Sequence, residues 1–81
     1  MIVLDSARKH GISEREMRKV IRDAVVVVKL RDEPSKYLFL GFDSNARALE
    51  VITDTGYDGN NYIIHADKIT KRNESLLKEG L

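Results

Sequence analysis

The segment Tyr37-Leu38-Phe39-Leu40-Gly41-Phe42 constrains this chain most, because apolar side chains fill both of its alternating faces. A strand of that kind has to be covered on two sides. The run Val25-Val26-Val27-Val28, closing in Lys29-Leu30, is also apolar on both faces and is rich in β-branched residues. With 81 residues there is room for one core, so a single domain over residues 1–81 is expected, and its cover must come from a few short helices. Two outcomes stand open. The helices divide between the faces and cover both, or part of one face stays bare as a protein-docking surface.

The helices can be placed from local chemistry. Ser13-Glu14-Arg15-Glu16 has the pattern of a capping box, with Ser13 at the N-cap and Glu16 three residues on. Ile12 and Met17 occupy the two positions of a hydrophobic staple, and Met17, Val20, Ile21 and Ala24 continue at helical spacing. Before this helix, Asp5 or Ser6 can cap a shorter one that stops at Gly11, a residue suited to the left-handed conformation at a helix end. From Asp67 onward the period is helical again, with Ile69, Leu76 and Leu77 on one face.

Between the helices lie four expected strands: Val25–Leu30, Tyr37–Asp43, Arg47–Thr53 and Tyr62–Ala66. Arg31–Ser35 is a turn around the only proline, and Ser44-Asn45-Ala46 is short enough to require antiparallel neighbours. Thr53–Asn61, with Gly56 and Asp58-Gly59, reads as a longer mobile loop. The expected class is α+β: two N-terminal helices, a four-stranded antiparallel sheet and a C-terminal helix.

Composition narrows the function classes. With 42% apolar and 33% charged residues the chain is globular. A domain this small buries only about 60–65% of its unfolded surface, so modest stability is expected, and a bound partner would add to it. Fourteen basic and 13 acidic residues leave a net charge of +1, which argues against nucleic-acid binding by bulk charge but permits a local basic patch. The absence of cysteine excludes disulfides and thiolate metal sites and suits a reducing compartment. Met1–Asp5 lacks the features of a signal peptide, and Ala24–Val28 is too short an apolar run to span a bilayer. A cytoplasmic protein without membrane contact is therefore expected.

No strong catalytic motif is present: there is no glycine-rich phosphate loop, nucleophile elbow or zinc spacing. A calcium loop around Asp54 and Asp58 fails, since Gly56 and His65 replace required ligands. The sequon at Asn73-Glu74-Ser75 carries no meaning in a cytosolic helix. His65, at the expected end of the last strand, suits general acid or base work, or simply a hydrogen bond there. His10, before Gly11, suits proton transfer or a cationic cap on a helix C-terminus. Lys68, Lys71 and Arg72 stand at i, i+3 and i+4 of the expected last helix, with Arg47 entering the third strand. They form either a phosphate-binding cluster near a helix N-terminus or a solvated face. Glu50, on a strand face with Ala48 and Ile52, is expected to be partly buried beside a cationic partner.

Three segments then resemble one known family. Lys9-His10-Gly11-Ile12-Ser13, the pair Leu38-Phe39-Leu40-Gly41 and Leu49-Glu50-Val51, and the block Ile63-Ile64-His65-Ala66 with Thr70-Lys71-Arg72 are similar, in order and spacing, to elements of BrnT-like toxins of the RelE/ParE superfamily. The resemblance implies a RelE-like fold and the toxin component of a bacterial type II toxin–antitoxin system. It implies a metal-independent endoribonuclease that needs no cofactor, acts on RNA, on or off the ribosome, and inhibits translation. A cognate, DNA-binding antitoxin would be its partner and would set any oligomer. Carried over by position, His10, Lys71 and Arg72 match family site residues; His65 or His10 would transfer protons, with Arg47, Lys68, Lys71 and Arg72 on phosphate. Asp67 or Thr70 stands where the family has an arginine, which implies weaker phosphate binding. The alternatives are a degenerate toxin of the same fold, a non-catalytic protein-interaction module, or a nucleic-acid-binding domain without chemistry.

Overall fold

The chain after His10 turns through Gly11, whose φ of +75° is open to glycine at little cost, and enters a helix at Ser13. In the computed structural model, which describes residues 1–81, the elements run β1 (Ile2–Val3), α1 (Asp5–Arg8), α2 (Glu14–Arg22), β2 (Val26–Arg31), β3 (Lys36–Phe42), β4 (Ala48–Thr55), β5 (Asn61–Lys68) and α3 (Lys71–Gly80). This is an α+β arrangement with one five-stranded mixed sheet in the order β1-β5-β4-β3-β2.

Half of the expected capping box forms. Ser13 Oγ accepts the Glu16 N–H at 3.3 Å. The Glu16 carboxylate, however, turns away from Ser13 to take the backbone N–H of Ser44 at 2.7 Å and its hydroxyl, tying α2 to the β3–β4 turn. Ile12 and Met17 are both buried, as a staple requires. Ser13→Ala should cost about 1 kcal/mol, the usual worth of an N-cap, seen as a lower urea midpoint with unchanged slope.

Where the fold departs most from expectation, long-range pairing overrides local signals. β1 was not expected; two residues pair parallel with β5, Ile2 opposite Tyr62 and Val3 opposite Ile63. α1 has Leu4, not Asp5 or Ser6, at its N-cap, and the Ser6 hydroxyl donates instead to Ile64 O at 2.6 Å on β5. β5 continues to Lys68 because Asp67 and Lys68 pair with Glu50 and Leu49 of β4, so α3 starts at Lys71 rather than Asp67. β4 and β5 also reach each other through Thr55 and Asn61. The long mobile loop of the sequence reading shrinks to residues 56–60, where Asp58 accepts the backbone N–H of Asn60 and the Tyr62 hydroxyl.

The helices divide between the sheet faces. Ala7 of α1 and Met17 and Val20 of α2 pack with Leu49, Val51, Ile63 and Ala66 on one face. On the other, Leu77 of α3 packs with Leu38 and Leu40, flanked by Val26, Val28, Phe42, Ala48, Ile52 and Ile69. One ten-residue helix does not cover that second face. A groove of about 430 Å³ remains between β2–β4 and the first turns of α3, floored by Val28, Leu30, Leu38 and Ile52. No helix is long and apolar enough to cross a membrane.

Candidate functional site: two carboxylate–imidazole pairs

Strand alternation puts Glu50, Ile52, His65 and Asp67 on the same sheet face, with Glu50 directly opposite Asp67 and Ile52 opposite His65. His65 lies within β5 rather than at its end, since the strand runs three residues further. Two carboxylates facing each other across strands repel unless cations or donors come between them. Here each has an imidazole beside it. His65 Nε2 lies 2.9 Å from Glu50 Oε2, and His10 Nδ1 lies 3.6 Å from Asp67 Oδ2. The two rings meet edge-on, centroids 5.8 Å apart and planes at 72°. His10 reaches this place because α1 runs along the outer edge of β5, held by Ser6 on Ile64 O and by Leu4 N–H on Ile63 O at 3.0 Å. It does not cap α1, whose C-cap is Lys9.

Glu50 is the centre of the cluster, with its side chain 5% exposed. Its Oε1 accepts the Thr70 backbone N–H at 2.7 Å and the Asn73 amide at 3.1 Å. Burial alone pushes this carboxyl up, but the Thr70 N–H, His65 and Asn73 outweigh it and hold the group below its ordinary value. An ionised carboxylate only accepts hydrogen bonds, so His65 Nε2 carries the ring proton toward Glu50 and, in the neutral ring, Nδ1 keeps the lone pair. The partner expected for Glu50 is thus His65 together with the start of α3. Both imidazoles keep access to solvent, with side chains 34% exposed at His10 and 28% at His65.

The expected cation cluster is divided. Lys68 closes β5 on the face opposite Glu50, in register with Leu49, so it shares no helical face with Lys71 and Arg72. Those two are exposed in the first turn of α3, next to the N-cap Thr70, and neither forms an ion pair. Cations there face the positive end of the helix dipole, a placement that does not favour stability and does favour an anionic ligand. Arg72 also lines the apolar groove, beside Thr70, Asn73 and Leu76. Arg47 is tied down: its Nε donates to Asp43 Oδ2 at 2.7 Å and its backbone N–H to Asp43 Oδ1 at 2.9 Å. Burial pushes the Asp43 carboxyl up, but the Arg47 N–H and guanidinium and the Asn45 N–H overcome this and hold it low. Arg47 therefore closes the β3–β4 turn while over half of its side chain stays in solvent.

Glu50 was singled out in the sequence without a role, and Asp67 only as a missing cation. No local signal pairs them, because Asp67 follows a helical period in the sequence; the β4–β5 register does. No group of three or more His, Cys, Asp or Glu side chains converges in a geometry that would hold a metal ion. The chain matches no protein-family model, no curated protein and no solved structure.

Proposed function

We propose that this chain is the toxin component of a bacterial type II toxin–antitoxin system, a metal-independent endoribonuclease of RelE/BrnT-like fold that inhibits translation. The observation that carries the chemistry is the side-by-side placement of Glu50–His65 and Asp67–His10 on one solvent-accessible surface. Cleavage by the ribose 2′-hydroxyl needs a base to take its proton, an acid to protonate the departing 5′-oxygen, and positive charge for the phosphorane. His65 Nδ1 is the base, with Glu50 fixing the ring and stabilising the imidazolium that forms. His10, with Nδ1 3.6 Å from Asp67 Oδ2, is the acid. Lys71 and Arg72 supply positive charge at the start of α3, whose N–H groups favour the same anion. The sequence resemblance supplies the toxin assignment, and His10, Lys71 and Arg72 are the residues common to both lines of argument.

Induced expression, with and without the neighbouring gene, tests this reading through growth and primer extension of cellular RNA. Growth arrest with discrete RNA cuts, relieved by the neighbour, is expected. Normal growth with intact RNA would remove the nuclease reading in that host. The double variant Lys71→Ala/Arg72→Ala should slow cleavage by about 10–100-fold, since two stabilising charges are lost, while its melting temperature stays within a few degrees of wild type. Toxicity retained in that variant would take both residues out of the mechanism.

The apolar groove favours a second reading, a non-catalytic interaction module that docks a partner against Val28, Leu30, Ile52 and Leu76. A stable heterocomplex without RNA cleavage would select it.

A further inference from the structure

The outer face of α2 carries a charge pattern that the imidazole site does not use. At about 100° per residue, Arg15, Arg18, Lys19 and Arg22 fall within an arc of about 100°, directly opposite the buried Met17 and Val20. Beside this face lies a cleft of about 260 Å³ lined only by polar residues: Arg15, Glu16, Lys19, Arg22 and Ser44. Its walls are positioned. Lys19 Nζ donates to Phe42 O at 3.0 Å, and Glu16 is held by the Ser44 N–H and hydroxyl. The nearby Asp23 is engaged by Arg22 at 3.2 Å and lies 3.9 Å from Lys19, whereas Arg15 has no carboxylate partner. Arg15, Lys19 and Arg22 therefore line the cleft with Glu16, Arg22 being paired with Asp23, while Arg18 beside them donates to Met1 O at 3.3 Å, on a chain whose whole net charge is +1.

Position adds a second argument. Ser44 and Arg47 belong to the same turn between β3 and β4, and that turn adjoins the start of α3, since Ile69 N–H donates to Ala48 O at 3.1 Å and Lys68 pairs with Leu49. Exposed cations thus follow one end of the sheet from α2, past Arg47 and Lys68, to Lys71 and Arg72. From Arg15 to Arg22 the helix rises about 10.5 Å. A stacked strand advances about 3.4 Å per phosphate, so this row matches about three phosphates.

We propose that the α2 cleft binds the phosphate backbone of the RNA strand whose scissile bond lies at the imidazole pair, as an accessory site several nucleotides away. The proposal rests on the RNA reading above but not on cleavage. The test uses fluorescently labelled, fully 2′-O-methylated RNAs of 4 and 12 nucleotides, which lack the attacking hydroxyl, with binding followed by anisotropy from 50 to 300 mM salt. The wild type should bind the 12-mer at least about 10-fold more tightly than the 4-mer. Arg15→Gln/Arg22→Gln, two exposed changes, should erase that advantage. It should also lower the slope of log affinity against log salt by about 1.4, or 0.7 for each lost phosphate contact on a single strand. The 4-mer, which can occupy one site but not span both, should lose less than the 12-mer. Unaltered 12-mer affinity and slope in the double variant would overturn the proposal. So would an equal loss of binding to polyglutamate, which would assign the cleft to an acidic protein. Length-dependent binding without cleavage of ordinary RNA would leave the cleft proposal standing and sink the nuclease reading alone.

Discussion

Glu50→Ala is expected to lower folding stability by about 3 kcal/mol, the range found when a buried charged acceptor is removed and its partners are left unmatched. For a domain of this size, total stability is of order 4–12 kcal/mol, and such a loss corresponds to a fall in melting temperature of about 12–24 °C. The effect is large because one carboxylate holds three elements together: β4 through its own backbone, β5 through His65, and α3 through Thr70 and Asn73. Glu50→Gln keeps an acceptor for the Thr70 N–H and should lose less, about 1–2 kcal/mol.

The same residue predicts a pH dependence with a definite sign. The folded-state carboxyl titrates below its ordinary value of 4.5, so the native state favours the ionised form. The stabilisation is therefore complete above that value and is lost as pH falls through the lower, folded-state value. Asp43, held by Arg47, is shifted in the same direction, so acid unfolding is shared. The Glu50 part is the difference between wild type and Glu50→Gln, measured by urea unfolding from pH 7 down to pH 3. The gap between the two proteins should narrow with acidification. A gap of constant size would mean that Glu50 acts through shape rather than charge.

The second large effect concerns chemistry. His65→Ala should slow RNA cleavage by about 10²–10⁴-fold, the usual contribution of a positioned general base, and His10→Ala should do so by a similar factor. Groups that act as one unit are not additive, so the double variant should fall little further than either single one. His10→Ala should leave stability nearly unchanged. His65→Ala leaves Glu50 Oε2 without its partner and should lose about 1–2 kcal/mol while staying folded at 25 °C, which circular dichroism and urea unfolding would verify. Cleavage that persists at the wild-type rate in the double variant would exclude the imidazole pair. Cleavage lost only in His65→Ala would leave His10 with a packing role against His65 and Asp67.

Much of this arrangement is legible in the chain itself. The Ser13 cap, the Ile12–Met17 staple, the turn at Gly11 and the two-sided strand at 37–42 depend on neighbours within a few residues, and each appears in the fold. The apolar character of β3 calls for cover on both faces but leaves open whether the helices supply it; they divide between the faces, and a groove stays open on the α3 side. His10, His65 and Glu50 could also be named as chemically capable residues.

Their juxtaposition could not. His10 and His65 are 55 positions apart, and they meet only because β1 pairs with β5 and draws α1 along the sheet edge. Asp67 and Lys68 look helical by period, yet pairing with Glu50 and Leu49 keeps them in a strand. That pairing turns Lys68 to the opposite face and leaves Lys71 and Arg72 alone at the start of α3. The capping carboxylate of Glu16 was likewise drawn off by Ser44, 28 residues away. Local sequence sets where a backbone prefers to coil or extend, because caps, staples and side-chain period act over a few residues. Which side chains face one another is decided by strand order and register, which depend on burial summed over the whole sheet.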